Sequence, residues 1–164
     1  MKKPFGYIPI NTGRWQSSKD GYGGAQDGAW FNIYFMEAAF DPSDLPPNTY
    51  GKLIVEFKDD RYHNELRDQK IKNPQLGKVG VRLAYQPTNG RWVAFKGSEV
   101  YSKPTKDYRN PRWLMGKSEW FPMPNEIEPY PAFDGVGLLW VQGMQEEGSL
   151  CEVAMVTLVL AVEE

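Results

Sequence analysis

The sequence predicts an all-β fold, an antiparallel two-sheet β-sandwich of jelly-roll type, and three observations carry that expectation. Several short runs alternate apolar and polar residues with a period of two, which turns one face of each strand into a core and leaves the other outside. Asn89-Gly90 sits between two such runs, and this pair tolerates the positive φ angles of a tight hairpin turn. Proline-rich connections separate the runs and exclude long helices, which suits crossovers between two sheets; a β-barrel is the alternative.

Taken in order, residues 1–12 set Phe5, Tyr7, Ile8 and Ile10 among prolines, so they form no helix and are too apolar for comfortable solvation. They read as an extended arm that packs on its own domain or on a neighbour, with Phe5, Tyr7 and Ile8 as its contact residues. The glycine-rich stretch 13–28 reads as a flexible loop, so the expected organisation is arm and loop over 1–28 and one sandwich domain over 29–164. Trp30 to Met36 has the aromatic and β-branched composition of a buried strand, ended by Asp41-Pro42 and Leu45 to Asn48. Leu53, Val55 and Phe57 alternate with polar or outward positions as a second strand. The polar stretch Asp59 to Lys72 predicts one short helix, with Tyr62 and Leu66 on a thin apolar face.

Val79, Val81, Leu83 and Tyr85 then form a strand that turns through Asn89-Gly90 into Trp92 to Phe95, with a short strand near Glu99 to Tyr101. Six prolines within 102–134 exclude long regular elements there, leaving only Ser118 to Phe121 as a short strand. Val136 to Gln142 and Leu150 to Val162 read as a long terminal hairpin. The last strand is apolar on both faces, which predicts a central position covered on each side.

A chain of 164 residues is long enough to bury a core without covalent staples. Its single thiol, Cys151, excludes an internal disulfide and suits a reducing compartment. The basic start is broken by Pro4, Gly6 and Pro9, so no secretory signal is recognised, and the apolar run 153–162 is too short to cross a bilayer as a helix. No membrane partner is expected, and the expected location is the cytoplasm or a virion assembled there. Net charge is only −2, yet residues 1–116 hold 18 Lys and Arg against 12 Asp and Glu, while 117–164 hold one Lys against nine acids. Such a division favours contacts between copies if the fold separates the charges, or internal pairing if it does not.

Catalytic chemistry is not signalled. The nucleophile elbow, the phosphate-binding loop and the zinc-protease helix are all missing, so no enzyme and no cofactor are expected. Cys151 lies in an apolar run, where thiols act as small inert hydrophobes, and His63 lies in a charged stretch. One His and one Cys cannot build a structural zinc site. Glu37 and Glu56 are the best-placed carboxylates for a small hydrolase, and Asp41, Asp44, Asp59 and Asp60 lack the spacing of a calcium loop.

Aromatic residues make up 14% of the chain, an excess that asks for a role. Trp30, Tyr34, Trp92 and Trp140 fall in strands and read as core. Trp15, Tyr22, Tyr108, Trp113 and Trp120 fall in or beside loops, where flat rings either stack on sugars or anchor a protein partner. Arg109 and Arg112 join them in the basic stretch 101–117, but a pI near 5.5 disfavours nucleic acid as the partner.

The whole-chain profile, a sandwich with an aromatic-rich extended arm and no cysteine framework, resembles accessory structural proteins of virus particles, in particular bacteriophage head-decoration or tail components. That resemblance implies a non-enzymatic assembly protein whose partners are itself, as a homo-oligomer, or a larger protein shell. A carbohydrate-binding module that uses the loop Trp and Tyr residues is the alternative, with a glycan as its ligand; a small carboxylate-dependent hydrolase follows.

Overall fold

Two-residue periodicity in the sequence becomes alternating burial in the computed structural model, which describes residues 1–10, 15–16, 30–36, 39–59, 79–87, 91–102, 113–123, 135–145 and 151–164. Within strand β4 (Thr49–Asp59), Leu53, Val55 and Phe57 are buried while Lys52, Ile54 and Glu56 lie on the opposite face. The same phase places Val79, Val81, Leu83 and Tyr85 of β5 (Val79–Pro87) in the core. The remaining strands are β1 (Lys2–Pro9), β2 (Trp15–Gln16), β3 (Phe31–Phe35), β6 (Val93–Ala94), β7 (Val100–Tyr101), β8 (Trp113–Lys117), β9 (Phe121–Pro122), β10 (Gly137–Gln145) and β11 (Cys151–Glu163). A 3-10 turn, Pro42–Asp44, is capped by Asp41, whose carboxylate accepts from the Ser43 N–H and hydroxyl, contacts that hold it below its ordinary carboxylate range.

The strands form two antiparallel sheets rather than a closed barrel. The first runs β1-β11-β4-β8, with β2 also beside β11 and β9 beside β4; the second runs β3-β10-β5-β6, with β7 beside β5. Because β2, β7 and β9 extend the lines of β1, β6 and β8, the chain visits the sheets in the order first, second, first, second, second, first, second, first. That winding is the jelly roll. Phe57, Tyr85, Phe95, Phe121, Leu139 and Leu158 fill the space between the sheets. Among the described residues no helix is long and apolar enough to cross a membrane.

Several sequence expectations hold and others change. Ala84 pairs with Ala94 and Tyr85 with Val93, the hairpin that Asn89-Gly90 announced, and Val100 returns beside Val81. The terminal hairpin does not exist: β10 and β11 belong to different sheets and do not pair. Each has both edges taken, β10 by β3 and β5, β11 by β1 and β4. The strand read as buried near Trp30 is an edge strand with half-buried side chains, because β10 covers only one of its edges. Trp113–Lys117, unexpected in the proline-rich stretch, pairs with β4 at the sheet edge, where proline upstream costs no ladder bond. The expected helix begins inside β4, and residues 60–72 lie outside the described residues.

Lys2–Pro9 is extended, as read, and pairs with β11 of its own chain from Lys2↔Glu163 to Pro9↔Thr157. Ile8 packs against the core, whereas Phe5, at a register break between Pro4 and Gly6, and Tyr7 are exposed. Two prolines, a bulge and two lysines blunt this outer edge against further strand pairing. Pairing brings the termini together. The Lys2 ammonium and the Met1 amino group both donate to the Glu163 carboxylate, and Lys3 lies 3.4 Å from Glu164. Part of the acidic C-terminal charge is therefore paired within the domain.

Buried serines repair two of the interrupted edge strands. Where β8 gives way to β9, the Ser118 hydroxyl accepts from Leu53 N–H at 2.9 Å and donates to the Glu119 carbonyl at 2.8 Å. Between β6 and β7, the Ser98 hydroxyl accepts from Leu83 N–H at 3.0 Å and donates to the Phe95 carbonyl at 2.8 Å. Each supplies the acceptor that a continuous strand would have offered.

Ser118→Ala leaves the Leu53 amide without that acceptor, and urea unfolding should show a loss of about 1–3 kcal/mol; an unchanged midpoint would refute the repair role. Lys2, then the N-terminal amine, hold Glu163 below its ordinary carboxylate range, so its stabilisation is present above that range and fades as pH falls through the lowered folded value. The melting temperature of Glu163→Gln should accordingly fall short of the parent at neutral pH and converge with it in acid.

Candidate functional site

Since β1, β11, β4 and β8 pair in register, the outward side chains of the first sheet fall in rows. One row is Tyr7, Val159 and Lys52; the next is Pro9, Thr157, Ile54 and Lys117; a third is Met155, Glu56 and Met115. Antiparallel sheets with one solvated face normally turn polar residues outward. Here Tyr7 is 67% exposed, Met115 60% and Met155 47%, with Ile54 half-buried between them. The charged groups on this face lie partly over rings: Lys52 Nζ sits 4.5 Å from the Trp120 ring centre and Lys2 Nζ 4.1 Å from that of Tyr50. Such stacking keeps the cations low against the sheet and leaves the methionines standing clear.

The outer face of the second sheet differs in kind. Trp30, Trp92 and Trp140, read from the sequence as core, instead lie at this face, because they occupy the phase opposite to Val141, Leu83 and Tyr85 or precede the strand. Trp92 and Trp140 meet edge to face at 4.7 Å. Tyr34 keeps its expected place against the core. Across the middle runs a polar row: Arg82 Nε donates to Gln142 Oε1 at 2.8 Å, and Gln142 Nε2 donates to Asn32 Oδ1 at 3.0 Å. The Arg82 guanidinium lies 4.3 Å over the Trp30 ring. Burial holds Arg82 below its ordinary value, and the negative charge of Glu99 opposes that shift.

A third feature is an open groove of about 670 Å³ on the side where β7 of one sheet faces β8 of the other, lined by Glu99, Tyr101, Met115, Lys117 and Glu119 among others. Its mouth is continuous with the exposed Met115 of the first sheet.

The residues singled out by sequence disperse. Trp15 stands opposite Val153 in β2, and Trp113 opposite Lys58 at the start of β8. Trp120 lies against Lys52, and Tyr7 shares the Lys52 row with Val159 standing between them. Tyr22, Tyr108, Arg109 and Arg112 lie outside the described residues, as do Glu37, Asp60 and His63; Glu56 stands alone between two methionines, and Cys151 opens β11 opposite Asp59. Sequence reasoning missed Met115, Met155 and Ile54. The signal for Met155 was present, since it occupies the outward phase of a strand apolar on both faces. No known protein family, curated protein or solved structure matches the chain.

Proposed function

We propose that this protein is a non-enzymatic structural subunit that assembles with copies of itself or onto a larger protein shell, such as that of a virus particle, through the outer face of its first sheet. The jelly roll by itself chooses nothing, because the same winding serves capsid and lectin domains. What supports the reading is the face carrying Tyr7, Ile54, Met115 and Met155, a sheet surface with apolar side chains where water would select polar ones. Methionine and tyrosine suit such a role: the first adapts to an opposing surface, and the second offers a rigid ring at small entropic cost. Phe5, raised at the bulge of β1, extends the patch around the sheet edge. The blunted β1 edge directs association to side chains rather than to strand addition.

Light scattering coupled to size-exclusion chromatography over a range of concentrations tests this. Association should survive high salt, since apolar burial and not ion pairing drives it. The double substitution Met115→Glu and Met155→Glu should weaken it at least about tenfold, by forcing carboxylates into the contact. A parent protein that stays monomeric at every concentration, alone and with its shell proteins, would sink the proposal.

A further inference from the structure

Glu56 is the odd residue on the outer face of the first sheet. It stands half-buried in the row between Met155 and Met115, one on each neighbouring strand. Two described cations on this face are already occupied: Lys52 lies over Trp120, and Lys2 lies over Tyr50 and donates to Glu163. Among the described residues no hydrogen bond or ion pair engages Glu56, and none engages the exposed Lys117. Thioethers give a carboxylate little support, so a partner that covers this face without a counter-charge strands Glu56 in an apolar contact.

Strand register sets the two unpaired charges in one block of four side chains. Ile54 stands opposite Lys117 and Glu56 opposite Met115, while Val55 between them turns to the core. Glu56 and Lys117 therefore occupy one diagonal of the block, and Ile54 and Met115 the other. Diagonal neighbours of this kind lie about 7–8 Å apart. In a two-fold contact between identical faces, a residue on the axis meets its own image, and a residue beside the axis meets the one reflected across it. An axis along the Ile54–Met115 diagonal thus sets uncharged side chains against themselves and carries Glu56 onto Lys117. The face is complementary to itself.

We infer that the partner of this face is a second copy of the chain, docked about a two-fold axis along the Ile54–Met115 diagonal, with Glu56 of each copy paired to Lys117 of the other. The inference rests on the assembly reading above and names its partner and geometry. Apolar burial supplies the affinity, and the two reciprocal charge pairs fix the register of one sheet on the other. Any other sliding of the faces leaves both charges without their partners.

The test is charge reversal, read as the self-association of the full chain by sedimentation velocity. Glu56→Lys and Lys117→Glu, each alone, set like charges at both contacts of a pair and should weaken association at least about tenfold. An equimolar mixture of the two variants restores opposite charges at both contacts, as does the double substitution in one chain. Both should associate as the parent does. A second measurement reads the axis directly: in a Cys151→Ala background, a short bismaleimide should join two copies through Met115→Cys, which meets its own image, and not through Met155→Cys, which lies away from the axis. Single variants that associate like the parent, or that fail to recover on mixing, would overturn the two-fold geometry while leaving assembly through this face in place. Crosslinking through Met155→Cys but not Met115→Cys would do the same. A parent that binds only shell proteins would give the face to that partner, and a parent monomeric throughout would remove both readings.

Discussion

Strand β11 is the element on which the molecule closes. It enters the first sheet last in sequence and takes the position between β1, the first strand, and β4, so the sheet is continuous only once the C-terminal segment is in place. Its inward residues Val156, Leu158 and Leu160 meet the core while its backbone completes two ladders at once. Lys2↔Glu163 marks the extreme, a pairing between the two ends of the chain. Contacts of such sequence separation require the loss of chain entropy before they return any stabilisation, and they place this protein among slowly folding topologies.

Closure around β11 also explains how the two surfaces diverge. The first sheet has its outward rows set by β11 and β4, and those rows mix the apolar Val159, Met155 and Ile54 with Thr157, Lys52 and Glu56. Val159 and Ala161 are buried on that side, whereas Met155, toward the other end of the strand, is open. The second sheet has its outward rows set by β10 and β5, where Gln142 and Arg82 stand opposite each other and Trp140 faces Ala84. One surface therefore presents exposed apolar side chains, and the other directed hydrogen bonds beside rings. A sandwich gives both without interference, since roughly 10 Å of packed core separates the sheets.

Interrupted edges recur in this fold and share a chemical answer. Each of the lines β6-β7 and β8-β9 breaks at a point where the strand leaves its neighbour, and in each a buried serine offers its hydroxyl to the neighbour's amide. The breaks have consequences for the surface as well. The β6-β7 break returns the chain so that Tyr101 reaches Gly80, and the β8-β9 break sends Trp120 outward under Lys52.

The amino-acid sequence by itself determined the class of the fold and the phase of its strands. Alternation in Leu53, Val55 and Phe57, or in Val79 through Tyr85, is a local property of extended backbone, and Asn89-Gly90 is a local property of a turn. Partners are another matter. The terminal pair of strands looked like a hairpin because they adjoin in sequence, yet each found both neighbours elsewhere, and pairing between sheets is decided by total burial rather than by adjacency. Trp30, Trp92 and Trp140 looked like core for a similar reason: large rings in strands are usually inside, and only the register of three strands shows that these lie on the outward face. The row from Arg82 through Gln142 to Asn32 was invisible in the chain, since its members are separated by more than a hundred residues at the widest and meet only across β5, β10 and β3. Periodicity says which way a side chain points; only tertiary structure says what stands beside it, because cross-strand neighbours are set by topology and not by spacing along the chain.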